Sequence, residues 1–293
     1  MEPPALPDFN TLWKFSDPKG TEAAFSALLE PARKSGDASY LLQLLTQIAR
    51  AQGLQDKFAE AHATLDGVRD QLRDDLKLAR VRYLLERGRV FNSSGAPERA
   101  LPLFVDAYDV ANAASETKFA ADALHMAAIA APTPAGKVEW NLRALLYIEK
   151  HPQEKRWLNA VHNNLGEAYL LTHEYAKALD CFQKLVAMSR ARNEEPWIYT
   201  LKDVSKCLRL LGRNEEACEV IGQVHSALKS KSETDGWISS ELGECLLALN
   251  EKDVAQALFK EAYAAFQKDE HVLKHEAEML RRVKELAGLN AQG

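Results

Sequence analysis

Helix-breaking residues are scarce in this sequence, with 14 glycines and 11 prolines among 293 residues. That excludes collagen-like and low-complexity chains and leaves too few turn residues for a β-rich fold. Cysteine is equally thin: Cys181, Cys207, Cys218 and Cys245 stand far apart with no CxxC pair. A disulfide framework or a zinc ribbon needs closer, paired spacing, so these read as four small buried thiols in a reducing compartment. No apolar run approaches the roughly 20 residues of a membrane span. The start, MEPPALPDFN, lacks the basic and apolar regions of a signal peptide. A basic excess is missing too, since the formal net charge is −5, which argues against a general nucleic-acid binder. These absences predict a cytoplasmic protein with neither a membrane nor a nucleic-acid partner.

Catalytic signatures are also lacking. There is no Gly-rich phosphate loop, GxSxG elbow, HExxH pair or EF-hand loop. His271 and His275 share one helix face at i, i+4, but no third ligand stands near them, so they read as solvated surface residues. The expectation is a protein that is not an enzyme, with no metal and no cofactor.

What is present is a composition of 46% hydrophobic and 27% charged residues, rich in Ala, Leu, Glu and Lys, as suits an all-α fold. It is also repetitive. Gly88, Phe91, Ala100 and Phe104 recur in the same frame as Gly166, Tyr169, Ala178 and Phe182, and as Gly243, Leu246, Ala255 and Phe259. Weaker copies are Ala49, Gln52, Ala61, Leu65, then His125, Ala128, Lys137, Asn141, and Ser205, Leu208, Ala217, Ile221. The alanine-type anchor thus falls at 61, 100, 137, 178, 217 and 255, a spacing of 37 to 41 residues. Periods of this size mark stacked repeats.

Each copy reads as two antiparallel helices, A and B. The junctions between them carry expected N-caps for helix B at Ser94, Thr172, Asn214 and Asn250, with Asp253 complementing a positive helix end. Pro97 and Pro134 fit the first turn of helix B, and Pro196 plays the same part before WIYTLKDV. A mid-helix glycine costs about 1 kcal/mol relative to alanine. The small residues of helix A (Gly88, Gly166, Ser205, Gly243) are expected to offset that by facing Ala100, Ala178, Ala217 and Ala255, so that the two axes approach closely. Residues 1–20 read as an irregular segment pinned by Phe9, Leu12, Trp13 and Phe15. Residues 21–37 form a capping helix, 40–265 six hairpins, and 270–288 a charged final helix. The last four residues, 290–293, are expected to fray.

The frames at Leu165-Gly166, Tyr169, Ala178 and Phe182, at Gly88 to Ala107, and at Leu242-Gly243 to Ala262 resemble the tetratricopeptide repeat family, in a longer-repeat form. The family repeat is about 34 residues long. The resemblance implies a right-handed α-solenoid whose A helices line a concave groove at the second, fifth, ninth and twelfth positions of each repeat. Here those positions include Arg82, Arg89 and Asn92, then Asn163 and Glu167, then Tyr199, Lys202, Lys206 and Arg209, and finally Trp237. Lys202, Lys206 and Arg209 form a basic stripe flanked by two aromatics, suited to an acidic or C-terminal peptide. The carboxylate clamp of chaperone-binding relatives is not reproduced, because its positions carry Asp122, Met126 and Asp203 in one frame, and Glu167, Asp203, Trp237 and Glu241 in the next.

The resemblance therefore implies a non-enzymatic interaction scaffold that binds a peptide or helix of a partner protein in the groove. Its alternative is a ligand- or peptide-responsive regulator whose superhelix changes on binding. Homo-oligomers through the end helices are compatible with either.

Overall fold

A computed structural model of the chain describes residues 6–289. Residues 290–293, expected to fray, and residues 1–5 of the irregular start lie outside the described ones. Among the described residues the fold is all-α, with sixteen α-helices, two short 3-10 helices and no strand. No helix there is long and apolar enough to cross a membrane. The chain divides into two compact units, Met1–Asn164 and Leu165–Gly293.

In the first unit, a 3-10 turn (Phe9–Leu12) leads to α1 (Pro18–Ser26) and α2 (Leu29–Ser35). The single capping helix expected over 21–37 is broken at Ala27-Leu28. The cause is Pro31, which lacks an N–H and clashes with the carbonyl four residues earlier, that of Ala27. Then come α3 (Ala38–Gly53), α4 (Phe58–Arg69), α5 (Lys77–Ser93), α6 (Pro97–Ala113), α7 (Thr117–Ala130) and α8 (Pro134–Lys150). A 3-10 segment, Pro152–Trp157, leads into α9 (Leu158–Leu171). Neighbours in sequence pack as hairpins, α3 on α4, α5 on α6 and α7 on α8. Consecutive A helices, α3 on α5 and α5 on α7, also touch.

The second unit holds α10 (Tyr175–Ala191), α11 (Ile198–Leu210), α12 (Asn214–Ser230), α13 (Gly236–Ala248) and α14 (Lys252–Phe266). It repeats the pattern: α11 packs on α12, α13 on α14, and α11 on α13. The final helix is two pieces, α15 (Glu270–His275) and α16 (Ala277–Leu286), and both Val272 and Val283 are buried in the core around Phe259 and Phe266. This stack of antiparallel helical hairpins is the α-solenoid class.

The glycines have a different partner from the one expected. A Cβ built on Gly88 meets the Phe104 ring at 2.5 Å, one on Gly166 meets Phe182 at 2.7 Å, and one on Gly243 meets Phe259 at 3.1 Å. The alanine is a turn away from the close contact, and it is the fully buried phenylalanine that needs the missing side chain. The frame shows matched sizes. Glycine pairs with Phe three times, and Ala49 clusters with the smaller Leu65. Ser205 meets its expected neighbour, donating to the Ala217 carbonyl at 3.0 Å.

The junctions also differ from expectation. None of Ser94, Thr172, Asn214 or Asn250 caps helix B; the residues before α6, α10, α12 and α14 make no side-chain cap. Five A helices, α3, α5, α9, α11 and α13, instead close on themselves. One residue turns left-handed (Asp56, Gly95, His173, Gly212, Asn250). The next amide then donates back five residues: Lys57 to Gln52, Ala96 to Phe91, Glu174 to Tyr169, Arg213 to Leu208 and Glu251 to Leu246. This closure satisfies the last orphan carbonyls, and Asn or Asp tolerates the left-handed region better than most residues. The α7–α8 junction lacks it. There Pro132 and Pro134 force an extended link, and Thr133 caps α8 by accepting from the Gly136 amide at 3.0 Å. Pro97 and Pro134 do stand in the first turns of α6 and α8, but Pro196 lies outside α11, before its flanking residue Trp197.

Candidate partner-binding face

The A helices carry a row of charged and aromatic side chains on the face away from their B partners. In the first unit the cations of this row are paired internally. Arg82 is only 7% exposed. Its Nε donates to Gln43 Oε1 at 3.1 Å and its Nη2 to Asn10 Oδ1 at 2.8 Å, while the guanidinium lies over the rings of Phe9 and Phe119. Arg89 donates to Glu86 Oε1 at 2.8 Å and to both oxygens of Asp122 at 2.6 Å. Burial works against its charge, but Asp122 and Glu86 outweigh that and raise its pKa. Arg50 reaches the same Glu86 oxygen at 3.5 Å. The second oxygen of Glu86 is buried and finds no donor among the described residues. Asn92 is half-buried near the end of α5.

The second unit arranges its face around Asp235. This residue caps α13, with Oδ1 accepting from the Trp237 and Ile238 amides at 2.9 and 3.1 Å. Its Oδ2 accepts from the Tyr199 hydroxyl at 2.6 Å. Burial, together with that bond, pushes the Tyr199 hydroxyl up to about 12. One carboxylate therefore fixes the first aromatic of α11 and the first turn of α13. Between the two rings sits the Lys202 ammonium, 5.9 Å from the Tyr199 centroid and 5.8 Å from that of Trp237. It also pairs with Asp203 at 3.1 Å, whose own pKa is raised by burial against the pull of Lys202 and Lys206. One turn on, Lys206 is half-buried and enters no ion pair among the described residues. Arg209 forms a two-pronged pair with Glu241, at 2.9 and 3.1 Å.

The sequence-predicted residues thus fall into separate groups. Arg82 and Arg89 belong to the first unit's network. Tyr199, Lys202, Lys206 and Trp237 come together in the second, and Arg209 is bound to Glu241. Asn163 is half-buried and Glu167 exposed on α9. Sequence reasoning missed the acids that engage these side chains: Glu86, Asp122, Asp203 and Glu241 pair with the cations, and Asp235 accepts from the Tyr199 hydroxyl. A signal existed, because Glu86, Asp203 and Glu241 all occupy the sixth position of their repeats. A cation late in one A helix meets an acid in the middle of the next: Arg50 with Glu86, Arg89 with Asp122, Arg209 with Glu241.

Clefts of about 480 and 520 Å³ lie elsewhere, between successive B helices, the first beside Tyr108, Trp140 and Tyr147 and the second beside Ile198, Val224 and Leu228. Neither gathers a nucleophile and base in reach of each other. Among the described residues no group of three or more His, Cys, Asp or Glu side chains is placed to hold a metal ion.

The tetratricopeptide repeat family model matches residues 160–191, and no curated protein matches the sequence. Several solved structures share the fold. A tetratricopeptide repeat protein from Parabacteroides merdae is 16% identical, covering 93% of each chain with a TM-score of 0.53. The apo form of RapI is 12% identical over 96% of this chain and 85% of its own, with a TM-score of 0.72. NprR, solved in complex with its cognate peptide NprX, is 13% identical over 97% and 83%, with a TM-score of 0.53. Residues 160–191 thus match the tetratricopeptide repeat model, in a chain with the fold of the tetratricopeptide-repeat proteins.

Proposed function

We propose that the protein is a non-catalytic binding module that holds a peptide or helical segment of a partner protein against its A helices, chiefly on α11 and α13. The observation that carries this reading is the Tyr199–Lys202–Trp237 group with Lys206 one turn further. The Tyr199 ring is held through its hydroxyl by Asp235 and the Trp237 ring packs edge-on against Phe266, and the Lys206 ammonium enters no ion pair among the described residues. A segment with an apolar side chain beside an acidic one meets that surface: the apolar group covers the rings, and the carboxylate takes a charge-assisted bond from Lys206. Because the receiving side chains are already ordered, most of the ordering cost falls on the partner alone. A peptide as the ligand class is supported by the shared fold, in which NprR holds its cognate peptide. That same likeness favours a second reading, in which binding alters the packing of hairpins and releases another partner.

Selection of displayed peptides against the full chain tests the first reading. Enriched sequences should place Asp or Glu beside an apolar residue and should be lost on a Lys206→Glu, Trp237→Ala variant of unchanged helicity. If the variant enriches the same peptides, the surface is wrong. Solution scattering with an enriched peptide separates the readings, since only the second expects a change in radius of gyration.

A further inference from the structure

We infer that residues 7–15 act as an intramolecular ligand of the α3–α5 face, so that this part of the inner surface is closed to a partner until the segment leaves. The inference rests on the binding-module reading above, but it concerns a different unit and a different occupant.

The segment is held as a bound peptide is held, by a few deep anchors and several side-chain bonds. Phe9 is buried against Phe25, Leu44 and Ile48, edge-on to Tyr40 at 5.1 Å. The Tyr40 hydroxyl donates to the Pro7 carbonyl at 2.8 Å. Asn10 accepts from Arg82. The Trp13 indole donates to Gln47 Oε1 at 3.0 Å and stacks on Phe15 at 4.8 Å, with Arg50 over both rings. Gln43, Arg50 and Arg82 are the A-helix side chains that line up with Tyr199, Lys206 and Trp237 in the repeat frame. The segment therefore covers the same face of the hairpin that the second unit leaves open.

Its Trp13–Phe15 end is the more exposed one, although Lys14 between them is bonded to the Thr21 hydroxyl. Phe15 is 61% exposed, so the stacked pair at Trp13 is the place where displacement would start. Phe9 is the last anchor to go. A competing partner would reproduce the same chemistry: two aromatics four residues apart, with an amide carbonyl after the first. The natural competitor is a protein segment of that pattern, since the receiving bonds are single and spread over residues 7–13, through the 3-10 turn at Phe9–Leu12, rather than clustered around one small molecule.

The test uses a fluorescent peptide of residues 6–16 and the full chain. In the unaltered chain the peptide competes with a tethered copy at an effective concentration of about millimolar. A Phe9→Ala, Trp13→Ala variant vacates the site, so its anisotropy titration should be at least about tenfold tighter than that of the unaltered chain. A peptide with alanine at the positions of Phe9, Asn10 and Trp13 should not bind. Equal binding to both chains, or no binding to a folded variant, overturns the inference.

Hydrogen exchange on the unaltered chain is independent of that variant's folding. Amides of residues 8–15 should open while those of α3 stay protected. Exchange of both together would make the segment a fixed part of the core and overturn the inference as well. Neither outcome depends on the displayed-peptide result, because the probe is the chain's own segment.

Discussion

The first unit uses arginine along its A-helix face and the second relies on lysine, and the consequence is that one unit's face is closed and the other's is open. Arg50, Arg82 and Arg89 each spend their forked donors on Glu86, Asp122, Gln43 or Asn10. Arg209, the arginine of the second face, behaves the same way toward Glu241. A guanidinium has five donors in a rigid plane and matches a carboxylate two prongs at a time. Lys206 is a point charge on a flexible stem and enters no ion pair among the described residues. Cationic residue type thus separates positions that hold hairpins together from positions left for a partner. The stripe read as Lys202, Lys206 and Arg209 is therefore not three equivalent charges.

The largest expected effect comes from breaking the closed side. Glu86→Ala leaves Arg50 and Arg89 short of their shared carboxylate in a buried setting, and removing one partner of such a network costs about 3–5 kcal/mol. Lys206→Ala should change stability by less than about 0.5 kcal/mol. Urea unfolding followed by circular dichroism checks both. A small loss at Glu86 would mean that the network is solvated and that the two faces are alike.

A second set asks whether the hairpins beneath the two faces are built alike. Gly→Ala in a helix ordinarily gains about 0.5–1 kcal/mol. At Gly88, Gly166 and Gly243 the new Cβ meets a phenylalanine ring at 2.5, 2.7 and 3.1 Å. Overpacking of this kind costs about 1–3 kcal/mol, so the loss should be larger at Gly88 and Gly166 than at Gly243. Pairing Gly166→Ala with Phe182→Leu should recover part of it, as an interaction term in a double-mutant cycle. A stabilising Gly166→Ala would contradict the packing described here.

A smaller effect belongs to the second unit alone. Burial works to raise the Glu261 carboxyl, but bonds from Lys229, Ser239 and His225 outweigh it and hold the group at about 2, below its ordinary 4.5. A depressed carboxyl contributes stability that is full above about 4.5 and is lost as pH falls through about 2. Acid unfolding of Glu261→Gln should therefore show a flatter pH dependence across that window than the unaltered chain. An identical slope would remove Glu261 from the account. The smallest effect is kinetic. Burial pushes Cys181 up to about 11 and Cys207 and Cys245 up to about 12, so these thiols should react slowly with a disulfide reagent at neutral pH. Half-buried Cys218 should react first.

Much of the fold is legible in the sequence because the Gly–Phe frame repeats, and a repeat implies a stack. The exact partner of each glycine is not, since small facing small and small facing large leave the same periodic trace. Junction residues mislead for a related reason: Asn250 suits both a helix start and a left-handed stop, and only the returning amide of Glu251 decides. The break at Pro31 is legible in principle, from the carbonyl four residues before it. The acids of the inner face are the hardest to read, because each pairs with a cation in a neighbouring hairpin and the register between hairpins has to be known first. The seat of residues 7–15 likewise depends on long-range packing that no local pattern carries.

The central claim, that α11 and α13 present the open surface while α5 does not, is tested most directly by site-specific photocrosslinking. A benzophenone side chain is placed at position 240 on α13 in one chain and at position 92 on α5 in another, which leaves Lys206 and Arg89 in place, and each is incubated with a peptide enriched by display. The expected result is a crosslink from position 240 and none from position 92. A crosslink from position 92 with none from 240 would contradict the claim.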